Sequence, residues 1–580
     1  MRRAAEDRIG LAIAQRLGVP EVVGRLLAAR GVDIDGAESF LNPTLRELLP
    51  DPSRLCDMDV AVERLVRAIK AGERIAVFGD YDVDGATAAA LLHRFFAAIG
   101  NDIRFYIPDR LSEGYGPNAP ALLRLKAEGV ALVITVDCGI TAFAPLEAAA
   151  AAGLDVIIVD HHVAEPRLPA ACAVVNPNRL DDKAGCGQLA AVGVAFLLAV
   201  GLNRALRAAG WYNGSRAEPD LRGWLDLVAL GTICDVVPLT GVNRALVAQG
   251  LKVLARRGNP GLAVLADIAG IGEVPGCYHA GFLLGPRINA GGRIGAADLG
   301  VRLLTTDDPL EASALARRLD ALNAERRSIE QAVLEAAIAQ VEQDRSPDHA
   351  LVMAVGEGWH AGVIGIVASR LKERYNRPAC VVALDGAVGK GSGRSIAGLD
   401  LGSAVIAARQ AGLLVNGGGH AMAAGFTVEA SRVGALRDFL EERLAAAAAG
   451  PIVPSLTLDG TITAAAAVPE LATLLDRLGP FGSGNPEPRF AIPDLRVLRG
   501  DVVGENHVRV LLGGSGGARL KAIAFRQGES DIGQALLRGG AATVHVAGHL
   551  RADNWQGQAG VQLIIDDVAP ALVPATAAIG

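Results

Sequence analysis

The chain has 580 residues, which at about 150 residues per domain allows about three to four domains and is too long for a small binding module. Hydrophobic residues make up 51% of it and aromatic residues only 4%, a composition that suits helices packed on a sheet. The formal net charge is −7, whereas proteins that bind a polyanion usually have a basic surface. A nucleic-acid partner would therefore have to be held by local basic patches and metal ions.

Residues 1–70 have the pattern of helices and turns that lead into the first strand. No motif with recognisable chemistry falls in this part of the sequence. The first ten residues are rich in charge and contain no apolar core, so no signal peptide is expected and a cytoplasmic location is predicted.

Residues 71–305 alternate short apolar runs with helical stretches, which is typical of a doubly wound α/β domain around a parallel sheet. Five apolar runs in the whole chain end in, or lead into, acidic or histidine residues. These segments are Ile75–Gly85, Ala131–Gly139, Asp155–His162, Leu227–Asp235 and, with ligand groups of another kind, Leu413–His420. We interpret the runs as strands buried on both faces, whose polar ends meet at the carboxyl edge of one sheet, where ligands bind.

One segment of this domain, Ala184–Asn203, is uncharged throughout. Its continuous apolar core, Leu189–Val200, is shorter than the about 20 residues that a bilayer requires. We therefore expect a buried helix and no membrane contact.

The rest of the chain divides into three parts. Residues 306–345 keep apolar positions at helical spacing with charges between them, which predicts one long connecting helix. Residues 346–450 have the pattern of a second, smaller α/β domain. Residues 451–575 consist of short alternating stretches with turn signals, which favour a small β-barrel, for example a five-stranded oligonucleotide-binding (OB) barrel, although other small all-β modules fit too.

The barrel region contains rings and cations that could contact a nucleic acid. The rings are Phe481, Phe490, His507, Phe525 and Trp555, and the cations are Arg489, Arg509, Lys521 and Arg526. An exposed ring that stacks on a base contributes about 1–3 kcal/mol. Because most of the aromatic side chains are expected in the core, the cations are the stronger candidates for contact with a nucleic acid.

The sequence GDYDVDG places three carboxylates, Asp80, Asp82 and Asp84, two residues apart in a loop that leaves a strand, with the next helix expected to begin near Ala86. This spacing presents oxygen atoms to one small volume, as hard divalent cations require. A solvated acidic turn is the alternative for this loop taken alone.

Residues after the other runs favour the metal site. Asp137 follows the second run, and two adjacent histidines, His161 and His162, follow the third, where both side chains can turn inward past the end of the strand. Histidine is a ligand that suits Mn²⁺ and Zn²⁺. A hydrogen-bonding role is the alternative for His162, and Asp235 supplies one more carboxylate.

These residues together resemble the DHH family of phosphoesterases, and within it the branch of exonucleases specific for single-stranded DNA. The metal-binding motifs of the family match GDYDVDGATAAALL, VDCGI, VDHH and CDVVPL. The branch is matched further by GPRINAGGR, GWHAGVIGIVASRL, GKGSGRS, NGGGHAMAAGF and GPFGSGNPEP, so the resemblance covers nearly the whole chain. It implies a DHH catalytic domain at residues 71–305, a DHHA1-type substrate-gripping domain at 346–450 and an OB-fold-like nucleic-acid-binding domain at 451–575.

The resemblance also implies a role for individual residues of the metal site. The matches to the ligands of two divalent ions, Mn²⁺ or Mg²⁺, are Asp82, Asp84, Asp137, His161 and Asp235. Asp137 is expected to bridge the two ions, and Asp84, His161 and Asp235 to hold the second. His162 matches the position that faces the scissile phosphate.

Other matched residues are expected to bind the substrate. Arg110 and Ser392 match residues that hold the 5′-phosphate end of the strand, and Arg287 matches one that contacts the strand. GKGSGRS and GGGH resemble phosphate-gripping motifs, in which Arg394 offers a bidentate fork and glycines let backbone N–H groups approach. The residues of the second motif are Gly418, Gly419 and His420. Tight turns are the alternative role for its glycines.

The sequence departs from some relatives at Phe78, where a histidine ligand to the first metal is often found. Either Asp80 takes over that role or the first metal site is weaker. We therefore count Asp80 among the candidate metal ligands.

The expected protein is a bacterial, metal-dependent 5′→3′ exonuclease that hydrolyses single-stranded DNA to 5′-mononucleotides in repair and recombination, through a two-metal-activated water. A 5′ end of single-stranded DNA is the substrate, and a single-strand-binding protein and a helicase are the implied partners. One alternative is a DHH phosphodiesterase that acts on cyclic dinucleotides or short oligoribonucleotides, which would not need a barrel. Another is an inactive DNA-binding scaffold, which would not need an intact set of acids.

Overall fold

The structure is a computed structural model that describes residues 4–110, 112–214, 216–343, 349–447, 455–538, 543–553 and 560–571. Trp555 and the domain boundaries expected near residues 345 and 450 lie outside these ranges. The division of the chain into domains at the predicted boundaries stays a prediction.

The N-terminal part is helical, as the sequence predicts. Its helices are α1 (Ala4–Leu17), α2 (Glu21–Ala29), α3 (Ala37–Leu41), α4 (Leu45–Leu48) and α5 (Met58–Ala71). Helix α5 packs in the core of the first α/β domain. Ile13 and Leu26, in contrast, are buried in one apolar cluster with Leu478 and Phe490 of the C-terminal part. The beginning of the chain is therefore joined to the barrel by a shared core.

The first α/β domain contains a five-stranded parallel sheet. Its strands are β1 (Ile75–Gly79), β2 (Arg104–Tyr106), β3 (Leu132–Val136), β4 (Asp155–Val159) and β5 (Ala173–Val175), in the order β2-β1-β3-β4-β5. Its helices are α6 (Val83–Ala98), α7 (Ala119–Ala127), α8 (Phe143–Ala151), α9 (Ala191–Ala208), α10 (Leu225–Cys234), α11 (Gly241–Ala255), α12 (Pro260–Ile268), α13 (Gly285–Ile294) and α14 (Leu299–Thr305). Val77 and Phe78 point to apolar clusters on opposite faces, so helices cover both sides and the doubly wound fold is confirmed.

Two of the five apolar runs do not belong to this sheet. The sequence predicts a strand at Leu227–Asp235, but these residues form most of helix α10 and its C-cap. Residues 225–232 are all buried, and a run that is apolar all round cannot be assigned to a helix or a strand from periodicity alone. The end of Leu413–His420 forms a strand of the second sheet, so its polar groups do not join the acids at the first edge.

Helix α9 is long and apolar enough to cross a membrane by length and composition, and among the described residues it is the single helix of this kind. In the structure 72% of it is buried inside the protein, where it packs against α5, α6 and α10. It is the core helix expected from Ala184–Asn203, displaced towards the C-terminus.

The connecting helix and the second sheet follow as predicted. Helix α15 (Pro309–Gln343) buries Leu319 in the core of the first domain and Val333 in the core of the second. The second domain has strands β6 (Val352–Glu357), β7 (Ala379–Asp385), β8 (Val388–Arg394), β9 (Asn416–His420) and β10 (Ala423–Glu429), and helices α16 (Ile364–Tyr375), α17 (Leu401–Gln410) and α18 (Val433–Ala447). Its sheet order is β6-β7-β8-β10-β9, with β6 and β7 parallel and the other pairs antiparallel.

The C-terminal part is a closed barrel. Its strands are β11 (Gly460–Thr461), β12 (Phe490–Val503), β13 (His507–Gly513), β14 (Arg519–Ala524), β15 (Thr543–Asp553) and β16 (Gly560–Pro570), and its helices are α19 (Pro469–Asp476) and α20 (Asp531–Leu537). Because β12 pairs with both β13 and β15, five long strands close on themselves and leave little exposed edge. The predicted OB-like barrel is confirmed.

Candidate metal centre and substrate cleft

The order of the first sheet reverses between β1 and β3, and ligands of doubly wound sheets bind at such a reversal, beyond the carboxyl ends of the strands. Asp80 follows β1, Asp137 follows β3, and Asp160 and His161 follow β4. The topology therefore brings the acids of three separate runs to one place.

The carboxylates after β1 are held by the start of α6. This helix begins at Val83 rather than near Ala86, so Asp82 is its N-cap, which accepts a hydrogen bond from the Gly85 amide at 3.1 Å, and Asp84 lies in its first turn. Asp84 is 1% exposed, and its two oxygens accept the amides of residues 191 and 192, at the start of α9, at 2.6 and 2.9 Å. The helix starts thus fix both carboxylates before any ion binds.

Asp137 occupies a backbone conformation that few residues other than glycine adopt. Its φ angle is +62°, and its amide donates to the Val159 carbonyl at 3.1 Å. Such local strain persists where the surrounding structure fixes it and is common at functional sites. At Asp137 this backbone conformation directs the carboxylate towards the centre of the acid cluster, where the residue is only 2% exposed.

Asp160 organises the two histidines. It is fully buried and accepts the amides of His161 at 2.7 Å and His162 at 3.1 Å, and its Oδ1 lies 2.7 Å from Nδ1 of His162. The His161 ring points the other way, with Nε2 3.4 Å from Asp137 Oδ1 and 3.5 Å from Asp235 Oδ2. The two adjacent histidines therefore have different surroundings: His161 joins the acids, and His162 is oriented by Asp160.

Asp235 reaches the cluster from the end of α10. It is the C-cap of that helix, and its neighbour Val236 has a left-handed φ of +61°. Helix α10 comes close to α6 and α9 because Gly231 lies at the crossing, where an added Cβ would be 2.3 Å from Thr87 Oγ1 and 3.0 Å from Asp84 Oδ1. The close approach of the helices places Asp235 beside Asp84.

The ligand atoms form two separate groups, and a third group overlaps both; within each group the atoms lie within 4.8 Å of one another. The first group is Asp80, Asp82 and Asp137, the second is Asp84, His161 and Asp235, and the overlapping group is Asp137, His161 and His162. Four of these atoms are buried without a hydrogen-bond partner among the described residues, namely Asp80 Oδ1, Asp137 Oδ1, His161 Nε2 and Asp235 Oδ2. Buried polar atoms rarely lack partners, so the donor set fits two divalent cations.

The electrostatics of the cluster agree with this interpretation. Burial and the charge of neighbouring acids raise the pKa of Asp84 to about 7 and that of Asp235 to about 9, and they also raise the pKa of Asp80 and Asp137. Burial lowers the pKa of His161 to about 4, so its imidazole is neutral and can donate a lone pair at neutral pH. A cation would offset the repulsion among the carboxylates.

Phe78 takes no part in the centre. Its ring is fully buried and stacks on Tyr106 with the ring centroids 5.1 Å apart, in the cluster on the opposite face of the sheet from Val77. Asp80, in contrast, belongs to the first ligand group. Replacement of the missing histidine by Asp80 stays a prediction, and the position of the carboxylate supports it.

A cleft of about 1010 Å³ lies between the two α/β domains. It adjoins the metal centre at Tyr115, which lines the cleft and whose hydroxyl donates to the Asp137 carbonyl at 3.0 Å. Its cations are Arg110, Arg293, Lys390, Arg394 and Arg409. Backbone from Gly417 to Gly419 forms part of the wall, and at Gly418 an added Cβ would meet nothing within 4 Å. The cleft can therefore receive an anion both through side-chain cations and through exposed backbone.

The predicted phosphate-binding residues meet in this cleft. Arg394 donates through Nη1 to Ser392 Oγ at 3.1 Å and to the Gly393 carbonyl at 2.8 Å. Burial and the nearby Arg110 lower the pKa of Arg394, and the Arg110 guanidinium lies 5.1 Å from the centroid of the Tyr81 ring. Two guanidinium groups in one cleft favour binding of a phosphate.

Two predicted substrate residues lie elsewhere. His420 ends β9 and is exposed, outside the residues that line the cleft. Arg287 is 9% exposed and donates to Asp320 Oδ1 at 2.8 Å and to the Leu283 carbonyl at 2.7 Å. The structure does not bring either side chain to the cleft, and it gives Arg287 a role in fastening α13 to α15.

Arg293, on the same helix as Arg287, is a cleft residue that the sequence analysis missed, as are Lys390 and Arg409. The two arginines are six positions apart, which places them on different faces of α13 at 100° per residue. Arg293 lines the cleft and donates to the Gly362 carbonyl at 3.0 Å, and burial lowers its pKa to about 10. The motif GPRINAGGR contains both residues, but only the helix orientation decides between them.

Arg293 also lines a second cavity, of about 540 Å³, that extends towards the barrel. Its other cations are Arg326, Arg327, Arg370 and Arg526. Glu330 pairs with Arg326 at 2.6 Å and Arg370 at 3.7 Å, yet Arg326 Nε is buried and has no hydrogen-bond partner among the described residues. A basic path thus runs from the metal centre to the barrel.

Known proteins match this chain over nearly its full length. Three family models match: the DHH family, N-terminal domain, at residues 74–232, the DHHA1 domain at 348–446 and the RecJ OB domain at 458–567. The single-stranded-DNA-specific exonuclease RecJ of Escherichia coli is 38% identical over 95% of this chain and 96% of its own length. The protein of the same name in Bacillus subtilis is 36% identical over 98% of this chain and 70% of its own length.

Solved structures give the same result. RecJ of Thermus thermophilus in complex with Mn²⁺ superimposes with a TM-score of 0.81 and 31% identity, and it covers 99% of this chain and 79% of its own. Its complex with Mg²⁺ gives a TM-score of 0.75 at 30% identity, covering 99% of this chain and 78% of its own. On these matches, the chain belongs to the RecJ family of single-stranded-DNA-specific exonucleases within the DHH phosphoesterases.

Proposed function

We propose that the protein is a metal-dependent exonuclease that hydrolyses single-stranded DNA from the 5′ end to 5′-mononucleotides, in DNA repair and recombination. The single observation that carries this proposal is the position of the phosphate-binding cleft directly beside a cluster with two groups of metal ligands. The relatives are named single-stranded-DNA-specific exonucleases, and two related structures contain Mn²⁺ or Mg²⁺.

Asp80, Asp82 and Asp137 would hold one ion, and Asp84, His161 and Asp235 the other, with Asp137 between them. Two divalent ions bound here would lower the pKa of a water molecule and offset the charge that builds up on the phosphate. Asp160 fixes the ring of His162 through the 2.7 Å contact, and this side chain is 40% exposed beside the cluster. His162 would bind a phosphate oxygen of the strand, and its exposure beside the cluster supports this role.

The proposed direction of cleavage rests on the roles at the 5′-phosphate end that the resemblance implies for Arg110 and Ser392, and the cleft supports it. Arg110, Ser392 and Arg394 lie together in its wall, where they can bind the 5′-terminal phosphate and so present the first internucleotide bond to the metal centre. The rest of the strand would follow the basic cavity lined by Arg293 and Arg526 towards the barrel. In this scheme residues 71–305 cut, residues 346–450 grip the end, and residues 451–575 hold the incoming strand.

A single-strand-binding protein and a helicase, which supply and unwind such strands, are proposed partners, and the cytoplasm is the proposed location. The two partners follow from the substrate, because a single-strand-binding protein covers single strands in the cell and a helicase produces them. Co-purification from a bacterial lysate treated with nuclease would reveal either partner.

A substrate comparison tests the proposal against its alternatives. Purified protein with Mn²⁺ would be given a single-stranded DNA, a short oligoribonucleotide and a cyclic dinucleotide at equal concentration. We expect the DNA to be hydrolysed with the highest kcat/KM. Preference for the cyclic dinucleotide would favour the small-molecule phosphodiesterase, and binding of DNA without cleavage of any substrate would favour the inactive scaffold.

A further inference from the structure

The segment GPFGSGNPEP, residues 479–488, has no role in the function proposed above. It lies between α19 and β12, and we call it the latch. Asn485 folds it: this side chain is 1% exposed and donates through Nδ2 to the Leu478 carbonyl at 2.9 Å and the Pro480 carbonyl at 2.8 Å. The latch is thus an ordered loop at the base of the barrel.

The middle of the latch contacts the chain just after Asp235. The Leu239 amide donates to the Ser483 carbonyl at 2.7 Å. Because Leu239 is 2% exposed, its amide depends on this carbonyl, rather than on water, for a hydrogen bond. A Cβ added to Gly484 would lie 2.8 Å from Cβ of Pro238, which shows how closely the two backbones approach. A barrel loop therefore sets the path of residues 236–239.

The two ends of the latch are fastened to other parts of the protein. Arg244, on α11, donates to the carbonyls of Leu478 at 2.8 Å and Gly479 at 2.6 Å. Arg30, at the end of α2, donates to Asn485 Oδ1 and to the Pro486 carbonyl, both at 2.9 Å. Arg244 thus holds the latch to the catalytic domain, and Arg30 holds it to the helical region that shares the barrel core.

The segment that it touches is held at its start by the end of α10, since the Asp235 amide donates to the Gly231 carbonyl at 2.9 Å and the Val236 amide to the Ile233 carbonyl at 3.2 Å. Asp235 caps α10, and its Oδ2 has no hydrogen-bond partner among the described residues. Val236 is 69% exposed and has a positive φ. The Pro238 carbonyl accepts from Asn243 at 3.0 Å, and Leu239 is held by the latch.

We infer that the latch is a positioning element for the metal centre: by fixing residues 236–239, the docked barrel sets the place of Asp235 and so the affinity of the second ion. The inference rests on the proposed function, because it takes Asp235 as a metal ligand. The barrel then has two roles, to bind the strand and to complete the site that cuts it. Groups that orient a ligand in this way change metal affinity by about 10–100-fold.

A matched pair of glycine variants tests the inference. Gly484 and Gly516 both have positive φ, +69° and +67°, so an alanine carries the same backbone strain at either position. At Gly516 an added Cβ meets nothing within 4 Å, whereas at Gly484 it pushes on Pro238. Titration calorimetry with Mn²⁺, on the full chain without DNA, should show two ions bound by the parent and by Gly516→Ala. In Gly484→Ala one of the two should bind at least about tenfold more weakly.

Hydrolysis of a 5′-phosphorylated dinucleotide, which is too short to reach the barrel, gives a second readout. Gly484→Ala should need more Mn²⁺ for the half-maximal rate but reach the parental rate at saturating Mn²⁺. A latch that serves only strand binding would leave this metal dependence unchanged.

Arg30→Ala keeps the inference testable if Gly484→Ala fails to fold. Its control is Arg16→Ala, since Arg16 pairs with Asp35 at the surface of the same helical region. Arg30→Ala should also weaken the binding of one of the two Mn²⁺ ions, and Arg16→Ala should leave the binding of both unchanged. Parental affinity for both ions in the folded latch variants would overturn the inference. Failure of the parent to bind two ions would instead overturn the proposed function, and the inference with it.

Discussion

Asp137 is the residue on which the metal centre depends most. Its Oδ1 is buried without a hydrogen-bond partner among the described residues, and burial together with the charges of Asp82, Asp84, Asp80 and Asp235 raises its pKa. Without ions, these carboxylates repel one another in a buried place. Ion binding should therefore stabilise the folded protein as well as permit catalysis.

Asp137→Asn should abolish cleavage, with a loss of about a thousandfold or more, which corresponds to about 4 kcal/mol of transition-state stabilisation. Asparagine tolerates the left-handed φ of this position, so the fold should persist. Thermal unfolding should show that the variant without metal is at least as stable as the parent and that Mn²⁺ raises its Tm by less than it raises that of the parent. Residual cleavage near the parental rate, with Mn²⁺ in excess, would rule out a shared carboxylate.

Asp80 decides the composition of the first site. Asp80→Ala should remove one of its three carboxylates and lower the occupancy of that ion selectively, because the second group contains no atom of Asp80. The Mn²⁺ concentration for the half-maximal rate should rise. Anomalous scattering from crystals soaked in Mn²⁺ is the measurement, and two full-strength peaks in the variant would show that Asp80 is not a ligand.

Arg394 should determine the preference for a phosphorylated 5′ end. Arg394→Ala should lower the ratio of rates on 5′-phosphate and 5′-hydroxyl strands, because a terminal dianion loses a charged donor. Arg374→Ala is the control, since Arg374 is half-exposed and pairs with Glu342 outside the cleft. An unchanged ratio in Arg394→Ala would leave GKGSGRS as a structural strand without a role at the 5′ end.

At the scale of elements, the sequence predicts the strands and the long helix better than the segments that build the site. Runs of β-branched and aliphatic residues such as Leu132–Val136 are short and bounded by turns, so their composition and their length both indicate a strand. Leu225–Cys234 is equally apolar but is a helix, and the sequence lacks the polar face that would reveal it. Tertiary burial, which cannot be seen in the sequence, decided its form.

The site residues show the same limit. The acids and His161 could be predicted because each follows a recognisable run or motif, and the structure brings them together. Arg293 could not be chosen over Arg287 without the orientation of α13. The predicted roles of the individual ligands stay predictions until an ion is observed.

Among the described residues of the barrel, one exposed phenylalanine ring lies beside a cation. Phe525 is 49% exposed, whereas Phe490 is fully buried in the core, so of these two only Phe525 can stack on a base. Arg526, next to it, lines the basic cavity between the barrel and α15. The loop after β14 is therefore the barrel element most directly on the proposed path of the strand.

Phe525→Ala should weaken binding of a long single strand by about 1–3 kcal/mol without changing the slope of affinity against salt concentration. Arg526→Ala should reduce that slope by about 1, because one phosphate contact is lost. Fluorescence anisotropy at several salt concentrations, with Asp137→Asn as the common background to prevent cleavage, separates the two effects. Equal slopes for Arg526→Ala and its parent would remove the cavity from the path of the strand.

At the scale of the whole molecule, a chain of net charge −7 is proposed to bind a polyanion because its cations are concentrated. The cleft and the adjoining cavity together contain nine, one of them shared, and the metal centre adds positive charge where the acids would repel a phosphate. Local arrangement, not overall charge, thus governs substrate binding. The cations are Arg110, Arg293, Arg326, Arg327, Arg370, Lys390, Arg394, Arg409 and Arg526.

The most direct test follows one strand labelled at either end. A 5′-phosphorylated single-stranded DNA, labelled at the 5′ or the 3′ terminus, would be cut with excess enzyme and Mn²⁺ and its products resolved by size. The 5′ label should appear as a mononucleotide from the first time point, the 3′ label should remain on a shortening ladder, and a chelator should stop both. Early release of the 3′ label as a mononucleotide, or equal cleavage of a blunt duplex of the same sequence, would contradict a metal centre fed by the 5′ end of a single strand.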